Sequence, residues 1–406
     1  MYQAAPLPHL SMPLRRLKIG YFALEGMNSF ATVHYFYYLY FFMQQNYGFG
    51  NKANLMLAAL NGLIYSVLSW YGGRFAQRFG YFTALKLGFS VMILALAAGL
   101  GIHSAAGQVG VMVFVVIGMC FTWPTLEALV SEHESPQGVQ HMVGIYNIMW
   151  AGTAAVSYFI GGAILERSHS KSLFLLPMGI QFGQLALTFW LERKARALAA
   201  NAEAEPAADS VQFPPELNVR PIAKARMFLR MAWLTNPFAY IAINTLIAII
   251  PGVAHRMQLS TMAAGFCCSL WCFARLAAFV TLWRWNGWHY RFAWLLTAYI
   301  TLVGSFLAIL VAPNLVVLVL AQILFGTAAG LIYYSSLYYS MDLSDTKGEQ
   351  GGIHEAAIGV GNFAGPAVGA ASLHFFPQFA YTSAFAVTGL MFLGLCGLLG
   401  IWRSGR

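Results

Sequence analysis

Twelve long, mostly apolar stretches follow one another along the chain, separated by short polar segments. They fall at approximately 19–43, 52–72, 81–102, 108–131, 141–165, 172–191, 231–254, 260–283, 290–311, 314–340, 351–374 and 379–401. A helix needs about 20 apolar residues to cross the hydrocarbon core of a bilayer, and each stretch meets that need. They are too long for the strands of a membrane barrel and lack the strict alternation of such strands. The pattern predicts an all-α integral membrane protein with twelve transmembrane helices. The first stretch reads as a retained span, not a cleaved leader. It carries Glu25 and runs into Tyr35, Tyr37, Tyr38 and Tyr40 without a small-residue cleavage site.

One long hydrophilic stretch interrupts the series. Residues 193–229 pass from an Ala/Glu segment into Pro206, Pro214, Pro215 and Pro221, the composition of a linker that is flexible or partly helical. It separates an N-terminal half, residues 1–192, from a C-terminal half, residues 230–406, each with six spans. Sliding the first half along by 208 residues lays Gly118 on Gly326, Leu129 on Leu337, Gly144 on Gly352, Ile145 on Ile353, Gly161 on Gly369 and Ala163 on Ala371. The same shift lays span 2 on span 8 and span 5 on span 11. Two pseudo-symmetric six-helix bundles are therefore expected, a parallel-repeat arrangement that occurs among secondary transporters.

Composition removes the soluble alternatives. Hydrophobic residues make up 59% of the 406 and charged residues 9%, and the mean hydropathy is +0.63. Cys120, Cys267, Cys268, Cys272 and Cys396 all lie in apolar runs without paired CxxC spacing, so they read as packing residues. The net charge of +9 resolves into topology. Lys52, Arg167, Lys171 and Arg256 fall on one side of the membrane and Arg275 inside a span. The remainder of the 23 Lys and Arg residues lie on the side of the two termini. That asymmetry puts the termini and the linker in the cytoplasm. Attraction to anionic lipid is a secondary effect, and nucleic acid is not an expected partner.

Span 2 closes on Gly73-Arg74-Phe75-Ala76-Gln77-Arg78-Phe79-Gly80. With the twelve-span layout, the linker and the repeat, this run resembles the major facilitator superfamily (MFS), whose loop between spans 2 and 3 has a similar signature. The resemblance covers essentially the whole chain and implies the MFS fold. In that family the loop latches a cytoplasmic gate. The residues so implied here are Gly73, Gln77, Arg78 and Gly80, with Glu132 and Glu134 after span 4 as acidic counterparts. Gln77 stands where the family has an acid, and Tyr81 and Phe82 where it has a basic pair, which removes charge from the latch. Span 11 carries Gly352, Gly361, Gly365, Pro366 and Gly369, a spacing similar to the family's antiporter motif but in the second repeat. These residues are read as helix packing: small side chains let backbones approach and proline kinks the helix.

An ionisable group at the centre of a membrane helix costs at least ~2.5–3.5 kcal/mol on insertion scales, so those retained are candidates for function. They are Glu25 in span 1, Glu127 in span 4, Arg275 in span 8 and Glu355 in span 11. Arg275 stands ~14 Å of helix rise from the cytoplasmic end of its span, with Glu25 and Glu355 at roughly 10 and 8 Å. Opposite charges at similar depth fit a proton-coupling charge switch, or else a static ion pair between helices. Glu355 with Arg275, both in the second half, is the expected static pair, and Glu25 the expected coupling group. Glu25, Asn28 and Thr32 share one stripe of span 1. With Trp123, Glu127, Asn244 and Tyr334 they outline a predicted substrate cavity between spans 1, 4, 7 and 10.

The leading function is a secondary active transporter of a small organic solute, working by alternating access with proton coupling. A drug or metabolite efflux antiporter of the same fold is the alternative. A polytopic membrane enzyme would need a catalytic set at one membrane face, and a transport-inactive sensor would have shed its in-membrane charges. No phosphate loop, nucleophile elbow or zinc-ligand spacing occurs. No enzyme activity, metal or other cofactor is therefore expected, protons being the coupling ion. A monomer in a bacterial inner membrane, with a small-molecule substrate, completes the expectation.

Overall fold

The computed structural model describes residues 12–132, 136–168, 170–204, 222–342, 347–379 and 381–405, with no strand among them. The first half forms α1 (Met12–Tyr47), α2 (Asn51–Phe79), α3 (Tyr81–Gly101), α4 (Ala105–Ser131), α5 (Pro136–Arg167) and α6 (Ser172–Ala204). The second half forms α7 (Ile222–Arg256), α8 (Thr261–Cys268), α9 (Leu270–Arg284), α10 (Phe292–Leu310), α11 (Leu315–Asp342), α12 (Lys347–Phe375) and α13 (Thr382–Ser404). Only Ser269 separates α8 from α9, and the two make one span, Thr261–Arg284. Each helix of the first half, moved by 208 residues, starts within two or three residues of its counterpart in the second. The repeat thus extends through all six spans.

Among the described residues, eleven spans are long and apolar enough to cross a bilayer. The exception is α1, whose buried Glu25, Asn28, Ser29, Thr32 and His34 lower its hydropathy. At 36 residues it is nonetheless ample in length. The helices overrun the expected linker of 193–229: α6 continues to Ala204 and α7 begins at Ile222, and 205–221 lie outside the described residues. The reason is local. Arg193, Lys194, Ala195, Arg196, Ala197 and Leu198 are strong helix formers and stay helical past the apolar run.

Connections are tight. Gly73 to Phe79, placed by the sequence in a loop, form the closing turns of α2, and the turn to α3 is the single residue Gly80. Its φ of +94° is one that glycine reaches without steric cost. Ser104 and Ser260 cap α4 and α8, each hydroxyl accepting a backbone N–H at 3.2 Å.

Helices α3, α6, α10 and α13 pack against their own half, whereas α2 meets α12, and α5 meets α8 and α9, across the two halves. Glycine makes these seams possible. A Cβ on Gly62 would run into the backbone of Asn362 and Phe363, and one on Gly359 into Ser66. Gly162 likewise lies against Thr261. Large apolar side chains such as Leu94, Val316 and Leu393 point outward, as expected where the solvent is lipid.

Candidate functional site

Between the halves lies a cavity of about 150 Å³ walled by α1, α2, α4 and α5 from one side and α7, α9, α11 and α12 from the other. Phe36, Tyr37, Trp123, Trp150, Tyr240 and Tyr333 supply an aromatic lining. Thr32, Asn61, Asn244 and Asn362 add polar groups, and Arg275 and Glu355 the charges. Spans 1, 4, 7 and 10 supply most of the lining, and spans 2, 5, 8 and 11 supply the rest, both charged residues included.

Arg275 is buried, and its guanidinium packs on two indoles, with Cζ 4.5 Å from the ring centre of Trp150 and 4.7 Å from that of Trp271. Trp271 is one helical turn before Arg275 on α9, so those two share a face. Trp150 comes from α5 in the other half. It is held by Nε1 donating to Asn147 Oδ1 at 3.0 Å, and its carbonyl accepts from Ser29 Oγ at 2.7 Å. A cation over a desolvated indole gains ~2 kcal/mol or more.

Glu355 also reaches across the seam. Tyr65 on α2 donates its hydroxyl to Glu355 Oε2 at 2.6 Å, with both side chains buried. The expected ion pair between Glu355 and Arg275 is not formed, and among the described residues Arg275 pairs with no carboxylate. Glu355 is instead met by Tyr65 of the opposite half, and Arg275 by Trp150 of the opposite half and Trp271 of its own.

Glu25 and Asn28 do not line the cavity. Both are fully buried, and among the described residues the Asn28 side chain has no hydrogen-bond partner. Glu25 faces Tyr146, with Glu127 and Glu355 as its charged neighbours. Glu127 is likewise buried beside Glu355, off the lining, with Oε2 unpartnered. Three carboxyls thus gather on α1, α4 and α12. Thr32 and Trp123 do line the cavity, as does Asn244, which donates to its neighbour Asn362 on the same wall. Tyr334 does not. One residue is a ~100° turn of the helix, so Tyr333 takes the lining position, while Tyr334 packs on Phe279 and Trp288.

The family model described as Major Facilitator Superfamily matches residues 29–366. The chain belongs to the major facilitator superfamily. No curated protein matches the sequence closely enough to count as a relative. Solved MFS structures share the fold. The human organic anion transporter MFSD10 (TETRAN) is 15% identical with a TM-score of 0.66, over 96% of this chain and 100% of that one. A bacterial homologue of the human lysosomal transporter Spinster is 12% identical with a TM-score of 0.65, over 97% and 96%. A variant of the nucleoside transporter NupG is 11% identical with a TM-score of 0.67, over 95% and 99%. Membrane-spanning helices and MFS membership make this a multi-pass membrane protein of a transporter family.

The MFS loop residues take unexpected partners. Arg78 packs over Phe79 at 5.3 Å and, among the described residues, makes no ion pair, while Arg74 lies over Trp70 at 4.3 Å. Glu134 lies outside the described residues. The backbone of Glu132 is held by Lys18, which is buried and donates to the carbonyls of Val130 at 2.8 Å and Glu132 at 2.6 Å. Helix C-termini leave carbonyls unsatisfied and carry partial negative charge, so Lys18 ties α1 to the end of α4. In the span 11 motif, Gly361 and Gly365 sit against the α7 backbone at Pro237 and Ile241, and Gly369 against Leu55 and Val387. Pro366 lies within α12, and of Gly352 only its place in α12 is described.

Sequence reasoning missed Tyr65, Trp150, Trp271 and Lys18. The four-residue spacing of Trp271 and Arg275 was a usable signal, whereas nothing local distinguishes Tyr65 from the other tyrosines in the chain.

Proposed function

We propose that the protein is a secondary active transporter that moves a small organic solute by alternating access and couples the movement to protons. The observation that carries this reading is the position of Glu355, which opens on a cavity walled by both halves and takes a hydrogen bond from Tyr65 in the opposite half. When the halves rock apart at this seam, Glu355 loses that donor. A carboxyl whose hydrogen bonds differ between two states has a different proton affinity in each. Such a difference is what lets a proton bias a two-state equilibrium. Glu355 is accordingly the primary coupling group, with Glu25 and Glu127 behind it as a shared proton-binding set. A buried charge must be paired or neutralised. Neighbours in fold named as organic anion and nucleoside transporters accord with a small organic solute. The reading includes a monomer in a bacterial inner membrane with cytoplasmic termini.

Proteoliposomes under an imposed pH gradient test it against a panel of small organic solutes. Glu355→Gln is expected to abolish gradient-driven accumulation while sparing counterflow exchange, and Glu25→Gln to weaken accumulation. Full gradient-driven accumulation in Glu355→Gln would remove that residue from coupling, and absence of gradient-driven flux for every solute would remove the transporter reading.

A further inference from the structure

We infer that the cavity takes a monocyclic aromatic monocarboxylate, with its carboxylate on Arg275 and its ring among the aromatic walls. The inference rests on the transporter reading for its purpose but on the cavity alone for its chemistry.

The need for an anion comes from Arg275. Only 3% of this residue is exposed, it lines the cavity beside the Tyr37 hydroxyl, its Nε has no hydrogen-bond partner, and among the described residues no carboxylate pairs with it. Indole contacts stabilise the cation without neutralising it, and a buried cation left unpaired is costly. A guanidinium is a planar fork of N–H donors that matches the two oxygens of a carboxylate.

The charge of the ligand follows from what else faces the cavity. Arg275 is the one cation on the lining, and Glu355 is the one acid. A dianion would set its second charge near Glu355 with no partner. A ligand ammonium would compete with the Tyr65 hydroxyl for Glu355 and leave Arg275 without an anion. A single negative charge satisfies the site as it stands, and when carried with one proton it makes the cycle electroneutral.

Size and lining set the body of the ligand. A cavity of about 150 Å³ holds roughly one benzene ring. Tyr37, Trp123, Tyr240 and Tyr333 offer edges and faces to such a ring. Asn244 and Asn362 are tied to each other by one hydrogen bond and keep further donors and an acceptor for a small polar substituent on the ring.

The test is binding to the purified full-length protein, read by tryptophan fluorescence and thermal shift. The probes are benzoate, acetate, benzyl alcohol, benzylammonium and phthalate. Benzoate is expected to bind at least tenfold more tightly than each of the others. Arg275→Gln should weaken benzoate at least tenfold while leaving benzyl alcohol unchanged, and Arg275→Lys should fall between. Benzyl alcohol or benzylammonium binding as well as benzoate would overturn the inference, as would tighter phthalate or acetate binding. So would wild-type benzoate affinity in Arg275→Gln. If that variant does not fold, the probe series on the wild-type protein decides alone. Gradient-driven flux of some other solute without benzoate binding would sink this inference and leave the transporter standing. Benzoate binding without flux of any solute would do the reverse.

Discussion

Replacing Tyr65 by Phe removes one hydroxyl from the seam between the halves and leaves the ring in place. That hydroxyl donates to Glu355 Oε2 at 2.6 Å, from α2 to α12, with both residues buried. A hydrogen bond to a charged group contributes roughly 1.5–3 kcal/mol net, and one between neutral groups about 0.5–1.5 kcal/mol. The contact exists only while α2 and α12 are closed at this level, so its loss weakens this arrangement relative to one in which the seam is open. At about 1.4 kcal/mol per tenfold, Tyr65→Phe should shift that equilibrium by tenfold or more when Glu355 is charged, and by severalfold when it is protonated. Spin labels at Arg78 and Arg284, at the C-terminal ends of α2 and α9, and at Lys52 and Phe375, at the opposite ends of α2 and α12, report the populations as distance distributions. A double-mutant cycle with Glu355→Gln isolates the pair. Populations unchanged within a factor of two would refute the reasoning, as would an equal effect of Tyr65→Phe with and without the carboxylate.

Gly62→Val should lower the apparent melting temperature, because its side chain meets the backbone of Asn362 and Phe363 and overpacking costs about 1–3 kcal/mol. Gly110→Ala, with nothing within 4 Å of the added Cβ, should leave it unchanged or raise it. Lys18→Met strips a donor from two carbonyls at the end of α4, a loss of roughly 1–3 kcal/mol that thermal unfolding followed by size-exclusion chromatography would detect. In a cysteine-free background, Ser168→Cys should react with an impermeant maleimide from outside the cell and Arg193→Cys only after permeabilisation, and the opposite pattern would invert the topology.

The spans were legible because the pattern that marks them is set by solvent. A run of apolar residues long enough to cross lipid has few other stable fates, so eleven of the helices can be recognised by length and composition. The ends were less so: α6 and α7 continue past the apolar runs on helix-forming residues that the apolar pattern does not register. The 208-residue repeat was visible in a few glycines and extends through all six helix pairs. Depth along a span could also be read, which is why Glu25, Arg275 and Glu355 stood out as charges at one level of the membrane. Direction around the helix axis could not. Whether Tyr333 or Tyr334 faces the cavity turns on a rotation of ~100°. Whether Glu355 meets Arg275 or Tyr65 turns on how closely α2 packs against α12, which glycines at Gly62 and Gly359 permit. Trp150 reaches Arg275 from the other half of the chain. A sequence orders residues along each helix axis, whereas the identity of a neighbour across an interface depends on the packing of all the helices at once, and only the tertiary structure decides that.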